Sequence, residues 1–346
     1  MNKNKIKIDY NDLVNAINLD IGLYNPYFDF FDKYHLDKIH LSKSNFPFPI
    51  IISSKKKFHN SNEISMIYKN KIIGQIKIKK IFKYRKQKLI KIMFGLNKLK
   101  HKYIKYYNNK YKINKYFLTG KVKLNKKNTY VQKIYRNNLM LKKILKEKNS
   151  CVFSTRNIPH VGHNLIQGKI LKEKKLLYVC FIISEKNKYK TELLYKTYES
   201  LKKNYSDFKN IKIKHIYLPT YFGGPKEAFL QAKIFENCGF KSFAVGRDHA
   251  GYIGLYEKYS SQNYLKKNKN LKIEILSNKE PVLCNNCKKV QFLTKELDKK
   301  CLFCNYPLSK IDGTTIKKYL KIKKLDAAKR YLFPKVYLCV KKYKIL

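Results

Sequence analysis

Tryptophan is absent from this 346-residue sequence, and only five of its 77 basic residues are arginine. Acidic residues are also few, at 23, so the formal net charge at pH 7 is +54. A charge of this size is typical of proteins that neutralise nucleic-acid phosphates. Nucleic-acid surfaces, however, use Arg heavily, because its planar fork binds phosphate and guanine bidentately. Since Lys, Asn, Ile and Tyr are abundant along the whole chain, we attribute the charge to compositional bias and predict no specific nucleic-acid partner.

Long apolar runs are absent as well. The longest, LLYVCFII at 176–183, is far shorter than the roughly 20 residues that span a bilayer, and it predicts a buried strand. The start MNKNKIKIDYNDL lacks the apolar core of a signal peptide and the Arg and Ser of a transit peptide. No G-x-x-x-x-G-K-[ST] motif occurs, which excludes a phosphate-loop kinase. We therefore expect a cytoplasmic protein without a membrane partner.

The hydrophobic content of 44% is enough for globular cores. The chain divides into three regions that differ in their residue patterns. Residues 1–145 contain alternating stretches such as IIGQIKIKKIF (72–82) and GKVKL (120–124), which predict a mixed, β-rich domain. Residues 146–270 alternate strand and helix patterns, which predicts an α/β domain with a doubly wound parallel sheet. Residues 271–346 contain paired cysteines and a basic tail, and predict a small C-terminal subdomain.

Polar clusters follow three of the predicted strands in the central region. CVFST (151–155) leads into the first cluster, YFGGPKE follows the strand at 211–219, and GRDHAG follows SFAVG (242–246). In open parallel sheets, ligands bind beyond the carboxyl ends of the strands. The order of elements therefore predicts that these clusters form a ligand site.

The first cluster, within FSTRNIPHVGHNLIQ (153–167), brings together Arg156, Asn157, His160, Gly162 and His163. H-x-G-H at a strand-to-helix junction lets two imidazoles and the free N–H groups of a helix N-terminus converge on an anion. Gly permits close approach of the backbone to a phosphate, and Arg can clamp an oxyanion bidentately. No neighbouring acid completes a zinc-protease motif. The alternative is two incidental histidines, one of which caps the helix.

The second cluster is the glycine-rich VGRDHAG at 245–251, in which Gly246, Arg247, Asp248 and His249 share one turn. An ordinary loop with a surface ion pair is the alternative. GGPKEA (223–228) is weaker still, because a turn followed by a helix start explains it without any function.

Apart from these polar clusters, the chain contains a set of cysteines with the spacing C-x₂-C-x₁₃-C-x₂-C, namely Cys284, Cys287, Cys301 and Cys304. Two such pairs can place four thiolates tetrahedrally around Zn²⁺. We predict a structural zinc site, with free cysteines or a redox pair as alternatives. The eight cysteines of the chain fit a reducing compartment better than a disulfide scaffold.

Several segments resemble the characteristic segments of the ATP sulfurylase family and occur in the same order. They are STRNIPHVGH, GGPKEA, GRDHAG and DGTTIK, together with the N-terminal IGLYNPYFDFF (21–31) and FPFPIII (46–52). The resemblance extends over nearly the whole chain. It implies a PUA-like β-rich domain over 1–145, a Rossmann-like, HUP-type nucleotidyltransferase domain over 146–270, and a zinc-ribbon-containing subdomain over 271–346. Some family members carry a zinc-binding insertion at the position of the cysteines.

The resemblance also implies a reaction, in which sulfate attacks the α-phosphate of ATP to give adenosine 5′-phosphosulfate and pyrophosphate, or the reverse. Mg²⁺ would accompany ATP, and self-association is common in the family. The implied sulfate ligands are Ser154, Arg156 and the backbone of Ala250. The implied catalytic residues are Thr155, Arg156, Asn157, His160 and His163. The implied ATP ligands are these five together with Ser154, Gly246, Arg247, Asp248 and His249.

The sequence departs from the family pattern at several positions. Ser154 replaces a Gln that helps to bind sulfate, Ile158 replaces a Pro, and Lys226 and Lys317 replace Arg. The strand at 176–183 lacks the family's H-P-x-x-G ending. We expect activity with weakened sulfate binding. Two other functions remain open: an H-x-G-H nucleotidyltransferase with another acceptor, and a non-enzymatic, basic zinc-ribbon protein that binds nucleic acid.

Overall fold

The computed structural model describes residues 4–60, 62–96, 101–144, 146–185, 187, 189–252, 254–293, 300–311, 313–322 and 324–343. Up to residue 145 its elements are β1 (Lys5–Lys7), α1 (Tyr10–Asp20), α2 (Lys33–His40), β2 (Ile52–Ser54), β3 (Glu63–Tyr68), β4 (Lys71–Phe82), α3 (Lys86–Phe94), α4 (Lys102–Ile113), β5 (Tyr116–Leu124) and α5 (Thr129–Lys143).

From residue 150 onward the elements are β6 (Ser150–Thr155), α6 (Val161–Glu173), β7 (Leu176–Ile183), α7 (Thr191–Asn204), β8 (Ile211–Tyr217), α8 (Pro225–Asn237), β9 (Ser242–Val245), α9 (Ser260–Lys267), β10 (Glu274–Ser277), β11 (Pro281–Cys284), β12 (Val290–Phe292), β13 (Leu308–Lys310), α10 (Gly313–Lys321), α11 (Leu325–Lys329) and α12 (Pro334–Lys342). Within the described ranges, no helix combines the length and the hydropathy needed to cross a membrane.

The chain folds into two compact units, each assembled from segments that are separated in sequence. Unit 1 comprises residues 1–145, 216–240 and 248–275, and unit 2 comprises 146–215, 241–247 and 276–346. The division into 1–145, 146–270 and 271–346 stays a prediction.

The N-terminal region is built around a five-stranded sheet in the order β1-β3-β4-β5-β2. β1 pairs with β3 in parallel, whereas β3 with β4, β4 with β5 and β2 with β5 are antiparallel. The alternating sequences at 72–82 and 120–124 lie in β4 and β5 as predicted. Alternate residues of β4 such as Ile76 and Ile78 are buried while Lys77 is exposed, so one face of this strand packs into a core.

A second five-stranded sheet has the order β10-β9-β6-β7-β8. β6 lies between β7 and β9 and pairs with both in parallel, which confirms the predicted parallel sheet. All eight residues of β7 are buried. A strand covered on both faces needs a continuous apolar run rather than an alternating one, which explains LLYVCFII.

Local signals fix the helix that follows β8. Pro225 occupies the first turn of α8, where its missing N–H needs no partner, and Gly239, at φ +87°, follows the end of the helix. Three further strands form a small antiparallel sheet in the order β12-β11-β13, and this sheet contains the paired cysteines or adjoins them.

Candidate active site

The first polar cluster lies in the short connection between β6 and α6. Thr155 ends the strand, and its Oγ1 accepts a hydrogen bond from the backbone N–H of Asn157 at 3.0 Å. His160 is the N-cap of α6, and its Nδ1 accepts from the backbone N–H of His163 at 3.2 Å. Because Nδ1 acts as the acceptor, the proton of a neutral His160 ring lies on Nε2.

The two imidazoles of H-x-G-H stack on each other. The ring centroids of His160 and His163 are 3.8 Å apart with an interplanar angle of 27°, and the edge of Phe153 packs on His163 with centroids 5.1 Å apart. The first turn of α6 contains no acidic residue. Two imidazole rings and the positive end of a helix dipole therefore lie together, and the first turn of the helix contributes no carboxylate, an arrangement suited to an anion.

Two buried polar groups beside this cluster have unused hydrogen-bonding capacity. In the part of the chain that the structure describes, neither the Oγ of Ser154 nor either side-chain atom of Asn164 makes a hydrogen bond, and Asn164 is only 4% exposed. Buried donors normally find partners, so these atoms could bind a ligand. Arg156, directly after β6, is partly exposed. Sequence reasoning did not identify Asn164, although its place next to the second His was a usable signal.

Packing accounts for two glycines near the cluster. A Cβ added to Gly162 would lie 3.0 Å from Pro281 Cγ and 3.1 Å from Ile311 Cγ2. A Cβ added to Gly313 would lie 2.8 Å from Nδ2 of Asn157. Both glycines thus allow neighbouring segments to press against the start of α6. Asp312, the first residue of the DGTTIK segment, lies outside the described residues.

The GRDHAG segment divides into two differently anchored parts. The guanidinium of Arg247 donates to Oε1 of Glu280, which is only 4% exposed, so this arginine neutralises a buried carboxylate. Gly246 is partly exposed and Asp248 is exposed. Arg247 thus forms an ion pair, but with a buried glutamate and not at the surface as the alternative had it, and local sequence did not reveal this partner.

The second part is a turn at residues 248–251. The N–H of Gly251 donates to the carbonyl of Asp248 at 3.1 Å, and Ala250 has a positive φ of +56°. A left-handed alanine is strained and persists only where its surroundings hold it. Here the N–H of Gly224 donates to the carbonyl of Ala250 at 3.0 Å, and Ser261 Oγ donates to the carbonyl of His249 at 2.8 Å.

The GGPKEA segment supplies the support for this turn. Gly224 also has a positive φ, +56°, and a Cβ there would lie 2.6 Å from the ring of Tyr256. Glu227 is fully buried, and its Oε2 accepts from the backbone N–H groups of Tyr221 at 3.2 Å and Gly223 at 2.9 Å. The segment is therefore more than a turn before a helix, because its acid organises the preceding loop.

Two lysines stand where the family has arginine. Lys226 Nζ donates to the hydroxyl of Tyr264 at 3.2 Å, and burial lowers the pKa of this lysine. Lys317 Nζ lies 5.8 Å from the ring centroid of Tyr189, and its pKa is lowered by desolvation and by Lys321. Both side chains are thus placed against tyrosine rings.

The four paired cysteines come together as a group. All four Sγ atoms lie within 4.8 Å of one another, with 3.4 Å between Cys284 and Cys304 and 3.6 Å between Cys287 and Cys301. Four thiolates at 2.3 Å from a tetrahedral Zn²⁺ are about 3.8 Å apart, so the group fits this ion. A hydrogen bond from the backbone of Tyr306 helps to lower the pKa of Cys304 to about 6, whereas desolvation and the neighbouring thiols raise the pKa of Cys287 to about 11, so Cys304 is the more readily ionised of these two thiols before a metal binds.

Comparison with known protein families agrees with this arrangement. The family model for ATP-sulfurylase matches residues 132–343, which is more than half of the chain. The chain belongs to the ATP-sulfurylase family. A second model, for a PUA-like domain, matches residues 1–127 and confirms the N-terminal domain predicted from the resemblance.

Archaeal members of the family are among the similar curated proteins. Sulfate adenylyltransferase of Thermococcus onnurineus is 26% identical over 294 residues, which cover 82% of this chain and 77% of that protein. The enzyme of the same name from Pyrococcus abyssi is 26% identical over 295 residues, with the same coverage.

Among solved structures, the hexameric APS kinase from Thiobacillus denitrificans matches with a TM-score of 0.64 at 12% identity. The match covers 98% of this chain but spans only 62% of that protein. At this identity the likeness shows a shared fold.

Proposed function

We propose that the protein is a sulfate adenylyltransferase. An oxygen of sulfate attacks the α-phosphorus of ATP, the bond from that phosphorus to the bridging oxygen of the β-phosphate breaks, and adenosine 5′-phosphosulfate and pyrophosphate form. The same site would run the reverse reaction. Family membership supports this proposal, and the observation that carries it is the stacked pair of His160 and His163 at the start of α6.

Positioning and charge stabilisation must supply most of the catalysis, because sulfate is a weak nucleophile. In the proposal, Arg156 clamps sulfate and the backbone N–H of Ala250 donates to it. Ser154 donates its hydroxyl in place of the longer Gln of the family. The unbonded, buried Oγ of Ser154 supports this role. A shorter side chain with one donor predicts weaker sulfate binding.

The phosphates would be held by the imidazoles and the amide of the first cluster. His160 donates from Nε2, because its Nδ1 is occupied by the N–H of His163. His163 and Asn157 complete the set that stabilises charge on the leaving pyrophosphate. Thr155 and the backbone of Gly246, Arg247, Asp248 and His249 would contact the nucleotide.

Two metal ions belong to the proposal in different roles. Mg²⁺, bound with ATP, neutralises part of the phosphate charge. Structural Zn²⁺ would be held by the four cysteine thiolates and would stabilise the segment from β11 to β13. Four protein ligands leave no coordination position for a substrate, so the zinc would not take part in catalysis. We also propose self-association, since the structural relative is described as hexameric. Light scattering of the purified protein tests it.

Pyrophosphate release from ATP with and without sulfate tests the activity. We expect release only with sulfate, and a loss of about 100-fold or more in Arg156→Ala and in His163→Ala, as for the removal of an oxyanion donor. Arg136 and His59 are exposed, so Arg136→Ala and His59→Ala serve as matched controls that should keep full activity. Release that is independent of sulfate would contradict the proposal and favour another acceptor.

A further inference from the structure

A chain of buried polar side chains leads from α8 to the turn at residues 248–251. Oε1 of Glu227 accepts from Nε2 of Gln231 at 3.3 Å, and Oε1 of Gln231 lies 2.9 Å from Nε2 of His249. Glu227 is 0% exposed and Gln231 is 2% exposed, so water does not compete for the bond between them, whereas the ring of His249 is partly exposed. All three residues belong to unit 1.

The carboxylate of Glu227 determines which group donates and which accepts in the hydrogen bonds that lead to His249. Glu227 receives two backbone N–H groups and one amide N–H, a set of donors that stabilises its ionised form. An ionised carboxylate only accepts, so Gln231 must turn its NH₂ group towards Glu227. The carbonyl of the amide therefore faces His249, whose Nε2 must carry a proton. Neutral His249 is thus held as the Nε2–H tautomer, with Nδ1 as its acceptor.

This ring belongs to the turn that contains the strained Ala250. The turn is also tied by Gly224 to the carbonyl of Ala250 and by Ser261 to the carbonyl of His249. We propose that Glu227 and Gln231 are positioning residues, which fix the tautomer of His249 and hold the turn at 248–251 ready for the anionic substrates. The link to substrates rests on the proposed function, whereas the tautomer does not.

An isosteric substitution, Glu227→Gln, should reverse the direction of both hydrogen bonds, the one between residues 227 and 231 and the one between Gln231 and His249. The new amide keeps its oxygen towards the N–H groups of Tyr221 and Gly223 and turns its NH₂ group towards Gln231. Gln231 must then present its carbonyl to position 227 and its NH₂ group to His249. Nε2 of His249 becomes the acceptor, and the proton moves to Nδ1, the ring nitrogen nearer to the main chain.

¹⁵N NMR of the histidine-labelled full-length protein measures this switch. The His249→Asn variant assigns the signal of His249 among the eight histidines. We expect a Nε2–H tautomer in the parent protein and a Nδ1–H tautomer in Glu227→Gln. Glu236→Gln is the matched control: Glu236 also lies on α8 and also accepts backbone N–H groups, from Lys272 and Ile273, and its substitution should leave His249 unchanged.

Kinetics test the second half of the proposal. In Glu227→Gln we expect the KM for ATP or sulfate to rise by about 10-fold with a smaller change in kcat, because the turn is misplaced and the reacting groups are kept. If Glu227→Gln does not fold, Gln231→Met gives the answer: it removes the amide oxygen that accepts from Nε2 of His249, so the share of the Nε2–H tautomer in the ¹⁵N spectrum should fall.

The assignment would be overturned if His249 kept its proton on Nε2 in Glu227→Gln, or if its share of the Nε2–H tautomer were unchanged in Gln231→Met. A switched tautomer with unchanged KM values would overturn the link to substrates. If the parent protein shows no sulfate-dependent turnover, the proposed function fails, but a switched tautomer would still support the hydrogen-bond chain.

Discussion

Helices α1 and α6 begin with the same physical feature, a set of free N–H groups with partial positive charge, but only the start of α1 has carboxylates that neutralise it. At α1, Asp9 accepts from the N–H of Asp12 at 2.9 Å, and Asp12 accepts from the N–H of Asp9 at 3.2 Å, which is a complete capping box. Lys110 Nζ then contacts Asp9 at 2.8 Å and Asp12 at 2.8 Å. Every charge at this helix start has a protein partner.

At α6 the cap is an imidazole, and no acid lies in the first turn. His160 satisfies one backbone N–H, while Ser154 and Asn164 keep buried polar atoms without hydrogen bonds in the described part of the chain. A terminus that is completed by carboxylates serves stability, whereas one that is left electropositive and partly unsatisfied suits a bound anion. The two termini therefore allow tests that convert one type into the other.

The largest effect should come from giving α6 the acidic cap of α1. His160→Asp keeps a side chain that can cap the helix but places a negative charge where the phosphates are proposed to bind. We expect pyrophosphate formation to fall by about 10³-fold with Tm unchanged or slightly raised. His160→Asn, a neutral cap, should lose distinctly less activity. Equal losses in the two variants would show that charge is not the reason.

The converse test removes Lys110, the cation on α4 that pairs with the carboxylates at the start of α1. Lys110→Met leaves the buried carboxylate of Asp12 and the partly buried one of Asp9 without their ammonium partner, so we expect the free energy of unfolding to fall by about 3–5 kcal/mol in urea titrations at pH 7. Lys196→Met is the control, since its pair with Glu192 is exposed, and unfolding should hardly change.

The loss in Lys110→Met should depend on pH. Burial and the neighbouring Asp9 raise the pKa of Asp12 from its ordinary value of 3.8 to about 6 even though Lys110 lowers it, so removal of Lys110 raises it further. A carboxyl whose pKa is raised by folding stabilises the fold below the unfolded pKa and loses this contribution as the pH rises through the folded pKa. The variant should therefore be least impaired near pH 4 and most impaired above pH 6. A loss that does not vary with pH would contradict this account.

The smallest effect concerns packing at α6. Gly162→Ala should lower the free energy of unfolding by about 1–3 kcal/mol, because its Cβ would press on Pro281 and Ile311. Gly168, in the same helix, has nothing within 4 Å of an added Cβ, so Gly168→Ala should raise stability by about 0.5–1 kcal/mol. Urea titrations compare the two. Stabilisation by both substitutions would show that the start of α6 is not tightly packed.

Much of the fold could be predicted because its signals are local. The eight apolar residues of β7, the Pro225 and Gly239 that bracket α8, and the strand–helix alternation all act between neighbours in sequence. The spacing of the cysteines likewise predicted a group that the structure assembles. The roles of the candidate site residues remain predictions, although the structure does stack His160 on His163.

The remaining features depend on partners that are distant in sequence. Glu280 pairs with Arg247 from 33 residues away, and Gln231 meets His249 across 18. No local pattern predicts either pair, and the one-turn spacing of Glu227 and Gln231 indicates only that these two side chains meet each other.

By itself, the sequence determined the alternation of strands and helices in the central region, the order of the family motifs and the set of thiols that could hold a metal, because periodicity, turn residues and motif spacing are properties of neighbouring residues. The tertiary structure alone decided that Gly162 receives the packing of Pro281 and Ile311, that Asn157 lies against Gly313, and that a buried glutamate orients an amide and, through it, an imidazole. These arrangements require segments far apart in the chain to meet, and only the fold brings them within hydrogen-bond or van der Waals distance.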